Sequence, residues 1–140
     1  MDKKDEKLVA LLRRNARLST SEIARQIGMS RTTVQDRINR LEDIGVIAGY
    51  TLKMGEKGET GVRAHVMLKI QPRAQVAVVA SMKKMDEVLS IYTISGEYDM
   101  IAIVGASTTS ALDYALDTLG GIEGVERTKT SILLTTKLER

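Results

Sequence analysis

Residues 19–45 read STSEIARQIGMSRTTVQDRINRLEDIG, and this stretch predicts a helix, a tight turn and a second helix. Ser19 and Glu22 have the spacing of a capping box, in which hydroxyl and carboxylate satisfy each other's free backbone N–H groups. Gly28 is expected to end the first helix because glycine readily adopts the positive φ of a helix C-terminus. Ser30 is expected to cap the second helix. The pattern is that of a DNA-reading helix-turn-helix.

The second helix of this motif separates its residues into an apolar and a polar face. Val34, Ile38 and Leu41 recur at helical spacing and are expected to face inward. In a recognition helix the first turns meet base edges and later basic residues meet phosphates. The predicted DNA-binding residues are Ser30, Arg31, Thr32, Thr33, Gln35, Asp36, Arg37, Asn39 and Arg40.

Individual roles follow from position along that helix. Arg31, Thr32 and Gln35 are placed for base edges, whereas Arg37 and Arg40 are placed for phosphates. Two roles are open for Asp36, which could accept a hydrogen bond from cytosine N4 or orient a neighbouring arginine. The alternative to DNA binding is that both helices form an ordinary core element with solvated charges.

The excess positive charge of the chain lies in its first part. The chain carries 21 Lys or Arg against 18 Asp or Glu. Residues 1–60 hold 12 basic against 9 acidic side chains, and residues 61–140 hold 9 of each. This distribution predicts attraction to the phosphates of double-stranded DNA.

Composition argues against several other classes of protein. Aromatic residues make up only 3% of the chain, which disfavours RNA or single-strand readers that stack bases on rings. With no Cys and one His, we expect no disulfide, no metal centre and no cofactor. No apolar run is long enough for export or a membrane span, so we expect a cytoplasmic protein with no membrane partner.

The helix-turn-helix is extended on both sides by recognisable patterns. Residues 2–14 predict an opening helix that completes a DNA-binding domain over residues 1–45. Residues 46–53 are β-prone and predict a strand or small hairpin. Glycines then mark a linker, so residues 46–61 are expected to be strand and linker; a basic wing lying on DNA is the alternative.

Residues 62–140 predict a second domain, in which the hydrophobic period alternates between strand and helix. Ala64, Val66, Leu68 and Ile70 alternate along its first strand and are expected to share one face. The predicted elements are strand 63–70, helix 73–85, strands 88–95 and 100–105, helix 108–119 and strand 125–138. This βαββαβ order predicts a ferredoxin-like domain and an α+β fold for the whole chain.

The helices of such a domain cover one face of its sheet. The other face is expected to carry Ile91, Thr93, Ile101 and Ile103, or their alternates, and is too apolar to remain in water. A second copy of the chain would cover it. The predicted homodimer also suits a helix-turn-helix that reads two half-sites related by two-fold symmetry.

Motifs in both domains resemble the Lrp/AsnC family of feast/famine regulators, and the resemblance spans nearly the whole chain. In the first domain it is carried by Asp5, Leu8, Leu12, Leu18-Ser19, Ile23-Ala24, residues 30–34, Arg37, Leu41 and residues 45–47. In the second it is carried by residues 95–99, similar to that family's Gly-x-x-Asp hairpin, and by residues 124–128. The resemblance implies a transcription regulator whose dimers pair through their sheets and often assemble into octamers.

The resemblance also implies an amino-acid effector bound in clefts between dimers, around this hairpin. The effector-binding residues carried over are Gly96, Glu97, Tyr98, Asp99, Thr130 and Ser131. A zwitterion needs a carboxylate to accept from its ammonium, and N–H or hydroxyl donors for its own carboxylate. The alternative is that the four hairpin residues form only a plain turn.

Two further functions use the same two-domain architecture. One is an architectural DNA-binding protein without an effector, and the other is an enzyme similar to the sirohaem decarboxylases. The arginine-rich helix-turn-helix and the single His favour a regulator that is not an enzyme.

Overall fold

A computed structural model describes residues 1–55 and 57–139 and divides the chain into two compact units, Met1–Lys53 and Met54–Arg140. The elements are α1 (Lys3–Arg14), α2 (Thr20–Ile27), α3 (Arg31–Asp43), β1 (Val62–Ile70), α4 (Gln75–Met82), β2 (Val88–Thr93), β3 (Met100–Ala106), α5 (Thr109–Gly120) and β4 (Val125–Leu133). The predicted order, three helices followed by βαββαβ, is confirmed.

The first unit packs its three helices around one small core. Its buried apolar residues are Leu8, Ile23, Ala24, Val34, Ile38 and Leu41. Leu11, Leu12 and Ile27 pack against this core while partly exposed. The helical spacing of the apolar residues therefore decides which face of each helix turns inward.

Residues 46–53 form no strand, contrary to the prediction. A strand needs a hydrogen-bonded neighbour, and here the segment bonds to the helical unit instead. Ile47 donates its N–H to the Leu41 carbonyl at 3.0 Å and packs against the first core. The Tyr50 hydroxyl donates to Glu42 Oε1 at 2.8 Å. Hydrogen bonds to α3 and the packing of Ile47 take the place of sheet formation.

The second unit contains a four-stranded antiparallel sheet with strand order β2-β3-β1-β4. Its core lies between this sheet and the helices α4 and α5. The core residues are Ala64, Val66, Leu68, Ile70, Val78, Met82, Met100, Ala102, Val104, Leu112, Ala115 and Leu119. The predicted inward alternation of β1 is confirmed.

Three elements of the second unit are shorter than predicted, and one of them is β2, which ends at Thr93 rather than at residue 95. Helix α4 ends at Met82 because the next residues tighten into turns, with Lys84 N–H donating to the Ser81 carbonyl. Strand β4 ends at Leu133, which pairs with Arg63 near the beginning of β1. Beyond that pair β1 has only Val62 left, and residues 134–138 form no strand.

The face of the sheet opposite α4 and α5 is covered by no helix of the second unit among its described residues. We call it the open face and define it by Met67, Leu89, Tyr92, Ile101 and Ile103. The prediction was correct for Ile101 and Ile103 but wrong for two residues of β2. Ile91 lies opposite Ala102 and Thr93 opposite Met100, so both are on the helix-covered face. Directly opposed residues share a face, and this register could not be inferred from β2 alone.

Candidate DNA-binding surface and effector hairpin

The turn between α2 and α3 is closed by backbone and side-chain hydrogen bonds. Glu22 N–H donates to Ser19 Oγ at 3.1 Å and Ser19 N–H to Glu22 Oε2 at 2.8 Å, which confirms the capping box of α2. Gly28 ends α2 with φ +72°, and the N–H groups of Gly28 and Met29 both donate to the Ala24 carbonyl. The turn therefore holds the start of α3 in a fixed direction relative to α2.

Most of the predicted DNA-binding residues lie exposed on α3 or at its cap, and Arg37 is half-buried. Ser30 Oγ accepts from Thr33 N–H at 3.1 Å, so these two residues also form the N-cap. Gln35 Nε2 donates to Asn39 Oδ1 at 2.8 Å, which links two polar side chains along the exposed face. The exposed polar surface begins at Arg31, the first residue of the helix.

Two arginines of α3 are bound to acids at the beginning of α1. Arg37 Nη1 donates to Asp2 Oδ2 at 2.8 Å and to Asp5 Oδ1 at 2.7 Å. Arg40 Nη2 donates to Asp5 Oδ2 at 2.6 Å. The sequence did not predict these contacts, although the spacing of Asp2 and Asp5 is that of a second capping box, which the structure contains.

The environment of Asp5 strongly favours its ionised form. The N–H of Asp2, followed by the guanidinium groups of Arg37 and Arg40, lowers the pKa of the Asp5 carboxyl to about 2. Because the folded state depresses this pKa, the stability that Asp5 contributes is complete above its ordinary pKa of 3.8 and is lost as the pH falls through about 2. The ion pairs are therefore intact at neutral pH.

The remaining arginines of the first unit supply its open positive charge. They are Arg13, Arg14, Arg17, Arg25 and Arg31, and all five are exposed. Within residues 1–55 and 57–139, none of these five forms an ion pair. Cationic side chains of this kind bind DNA phosphates and release counterions.

In the second unit, the turn between β2 and β3 is fastened to the end of β1. Gly96 has φ +118°, a conformation that glycine adopts readily. Asp99 N–H donates to the Leu68 carbonyl at 2.9 Å, and Asp99 Oδ2 accepts from Ile70 N–H at 2.8 Å. Lys69 Nζ lies 3.6 Å from the same oxygen. Asp99 therefore has a structural role whether or not it also meets a ligand.

A charged pair lies on the outer side of this hairpin. Arg127 Nη2 donates to Glu97 Oε1 at 2.9 Å, and the Arg127 guanidinium lies over the Tyr98 ring, 5.2 Å from its centroid. Sequence reasoning assigned no role to Arg127 or Lys69. Arg127 stands in the motif over residues 124–128, which was the available signal.

The structure does not bring Thr130 and Ser131 to the hairpin within one chain. Thr130 lies opposite Val66 and Ser131 opposite His65, whereas the hairpin joins β1 at Leu68. Their side chains point to opposite faces of the sheet, because successive residues of a strand alternate. The hairpin residues are instead accompanied by Lys69 and Arg127.

Two other features are absent from the described residues. No group of three His, Asp or Glu side chains there is arranged to hold a metal ion. None of the helices described is both long and apolar enough to cross a membrane.

The chain is similar to known proteins over nearly its whole length. Residues 1–42 match the AsnC-type helix-turn-helix domain, and residues 63–140 match the Lrp/AsnC ligand binding domain. The HTH-type transcriptional regulator FL11 of Pyrococcus furiosus is 29% identical, with 96% of this chain and 89% of that protein covered. The regulator LysM of Sulfurisphaera tokodaii is 30% identical, with 96% and 95% covered.

A solved relative extends this similarity to three dimensions. It is a transcriptional regulator of Neisseria meningitidis in complex with L-methionine, 28% identical to this chain, with a TM-score of 0.86. The match covers 99% of this chain and 93% of the relative.

Proposed function

Because the chain belongs to the Lrp/AsnC family of helix-turn-helix transcription regulators, we propose that it binds specific DNA sequences and responds to a small amino acid. In this proposal residues 1–45 read DNA, residues 46–61 link the two parts, and residues 62–140 bind the effector and form oligomers. The observation that carries the DNA part is the exposed polar face of α3, which begins at Arg31 directly after the fixed turn.

The arrangement of α3 suits the major groove of DNA. The apolar residues of α3 are buried in the core. Its exposed face therefore consists of side chains that can donate hydrogen bonds to base edges or accept them. Arg31 is in the first turn, where a recognition helix approaches the bases. Arg13, Arg14, Arg17 and Arg25, which are exposed and form no ion pair within the described residues, supply phosphate contacts in addition to Arg31.

Arg31→Ala should weaken binding to the specific duplex about tenfold while binding to a scrambled duplex changes much less. An arginine that makes a bidentate contact with guanine contributes about 1–3 kcal/mol of discrimination. The measurement is a mobility shift at near-physiological salt, with the gene's upstream region and a scrambled duplex. Arg73→Ala is the matched control, because Arg73 is exposed in the second unit.

The same comparison separates the regulator from its alternatives. Equal shifting of both duplexes by the parent protein would favour an architectural DNA-binding protein. No shift of either duplex would contradict DNA binding and would favour the alternative of an enzyme on this fold. An Arg31→Ala variant that discriminates as well as the parent would exclude Arg31 as a base-reading residue.

A homodimer is part of the proposal, and the open face supports it. Leu89 and Tyr92 are each 58% exposed, beside the half-buried Ile101, Ile103 and Met67. An apolar patch of this kind is covered in stable proteins by another surface. A second copy would place two α3 helices on one duplex, and an octamer would consist of four such dimers.

The hairpin over residues 96–99 is the proposed contact of the effector. Because the Asp99 carboxylate is already bound to Ile70 N–H and lies near Lys69, Glu97 is the more available acceptor for a ligand ammonium. Arg127 is the matching donor for the ligand carboxylate. In this proposal a zwitterion breaks the Glu97–Arg127 pair, and its ammonium binds Glu97 while its carboxylate binds Arg127. Thr130 and Ser131 would take part only from a neighbouring subunit.

Glu97→Gln should raise the amino-acid concentration needed for a half-maximal change in DNA binding by about tenfold. Hydrogen bonds to charged groups contribute about 1.5–3 kcal/mol, and about 1.4 kcal/mol corresponds to a factor of ten. The measurement is the mobility shift with pooled amino acids, followed by single ones. L-methionine is tested first because the Neisseria relative binds it.

Glu126→Gln is the matched control for this variant. Glu126 is exposed on β4 beside Arg127, so the substitution removes the same charge while leaving the Glu97–Arg127 pair in place. An equal change in both variants would locate the effector elsewhere. An unchanged response in Glu97→Gln would do the same.

A further inference from the structure

We propose that Asp5 is a positioning residue for DNA recognition, which withholds Arg37 from the DNA and sets the direction of Arg40 on α3. The proposal rests on the proposed function, in which α3 reads DNA. It reassigns Arg37 from a phosphate contact to an internal link between α1 and α3, and it makes a residue outside the helix-turn-helix part of the recognition apparatus.

The Asp5 carboxylate is completely buried and uses both of its oxygens. Oδ1 accepts from Arg37 Nη1 at 2.7 Å, and Oδ2 accepts from Arg40 Nη2 at 2.6 Å and from Asp2 N–H at 3.0 Å. A buried carboxylate is stable only when such partners surround it. Asp5 is also the only charged residue among the buried side chains of the described chain, so no other buried carboxylate could take its place.

The two arginines it holds differ in what remains available for DNA. Arg37 is bound to two carboxylates, and only 22% of its side chain is exposed. Arg40 gives one hydrogen bond to Asp5 and keeps 54% of its side chain exposed. A guanidinium has five N–H donors, so Arg40 can bind a phosphate while Asp5 fixes the orientation of its plane.

This arrangement limits how many phosphates α3 can reach. A free arginine is a long, flexible cation that binds phosphates without regard to base sequence. When both guanidinium groups are anchored to α1, Arg37 makes no such contact and Arg40 makes one in a defined place. The anchoring thereby lowers the affinity for random DNA relative to the affinity for the specific site. The ratio of these two affinities is what matters for a regulator.

The test is Asp5→Asn, studied by fluorescence anisotropy with the upstream duplex and a scrambled duplex over a range of salt concentrations. Asparagine keeps the size of the side chain but removes the charge that holds both arginines. We expect binding to the scrambled duplex to strengthen several-fold, with a salt slope steeper by about one to two units, since each added phosphate contact contributes about 0.9. The ratio of specific to non-specific affinity should fall about tenfold.

Glu6→Gln is the matched control for net charge. Glu6 is exposed on α1 next to Asp5, and neither α3 arginine is bound to it. Its salt slope and specificity ratio should stay close to those of the parent protein. Equal changes in Asp5→Asn and Glu6→Gln would overturn the proposal, because net charge alone would then explain them.

Arg37→Gln provides a second variant that does not depend on the folding of Asp5→Asn. Glutamine can still donate to Asp5, and Arg40 and Asp2 N–H remain as partners. Because Arg37 does not reach the DNA in this proposal, the salt slope should stay unchanged. A slope that becomes shallower by about one unit would show that Arg37 contacts a phosphate and would overturn the proposal.

Two further outcomes are distinguishable. If Asp5→Asn loses both affinities together with its helical circular dichroism, the role of Asp5 is only structural and the proposal fails. If the parent protein binds neither duplex, the proposed function fails and this inference with it. Parent binding with an unchanged Asp5→Asn variant would overturn this inference alone.

Discussion

Gly124→Ala should lower the free energy of unfolding of the second unit by about 3 kcal/mol, as the sum of backbone strain and overpacking. Gly124 has φ +99°, where a residue with a Cβ atom is strained. A Cβ there would occupy the space held by the Ala74 Cβ atom and would lie 3.3 Å from Val78 Cγ2. Because Val78 is a core residue of α4, the loop before β4 would have to move away from that helix. Urea unfolding followed by circular dichroism measures the change.

Gly120→Ala is the control for this experiment. Gly120 is the last residue of α5, and a Cβ there would have no neighbour within 4 Å. Alanine is favoured over glycine in a helix by up to about 1 kcal/mol, so this variant should be as stable as the parent or slightly more stable. A Gly124→Ala variant of parental stability would mean that α4 and the β4 loop are less tightly packed than the structure indicates.

Ile101→Asp should convert the proposed dimer to monomers, with self-association weakened by at least about a hundredfold. Ile101 lies in the centre of the open face, opposite Met67 on β1 and Tyr92 on β2. If a second copy covers this face, the new carboxylate is buried without a partner, at a cost of about 3–5 kcal/mol. Sedimentation velocity over a range of protein concentrations measures the association.

Val76→Asp is the matched control, because it introduces the same charge on α4 rather than on the sheet. Val76 is 86% exposed and is not a core residue, so this substitution should leave the dimer intact. If Ile101→Asp associates like the parent protein, the open face is not the dimer interface. If only Val76→Asp dissociates, the interface lies on the helical side.

Local features of the fold were predictable from the sequence because short-range chemistry produces them. The Ser19–Glu22 capping box and the Ser30 cap each depend on residues three positions apart. The left-handed backbone at Gly28 is a property of glycine at the end of a helix. The burial of alternate residues in β1 follows from the period of a strand.

Features that depend on distant parts of the chain were not predictable in the same way. The contacts of Arg37 join residues 32 and 35 positions apart, so α3 considered alone leaves that side chain exposed. Ile91 is as apolar as Ile101, and only the pairing of β2 with β3 separates their faces. Residues 46–53 have the composition of a strand but bond to the helical unit instead.

In the candidate effector site the sequence indicated the hairpin but not the residues around it. Gly96 and Asp99 were recognisable by spacing, whereas Lys69 and Arg127 arrive from β1 and β4 through sheet pairing. Thr130 was included because of its position on the last strand, and the register places it opposite Val66. The folded sheet, rather than any local motif, decides which charges accompany the hairpin.

The two hydrophobic cores have no residue in common, and this separation bears on how such a protein can change over generations. Substitutions at distant, independent sites have nearly additive effects on stability, so a loss in one core is not amplified by changes in the other. Each unit can accumulate neutral mutations against its own stability threshold. With the proposed function, a lineage can thereby acquire a new ligand preference in the sheet unit while α3 continues to read the inherited operator.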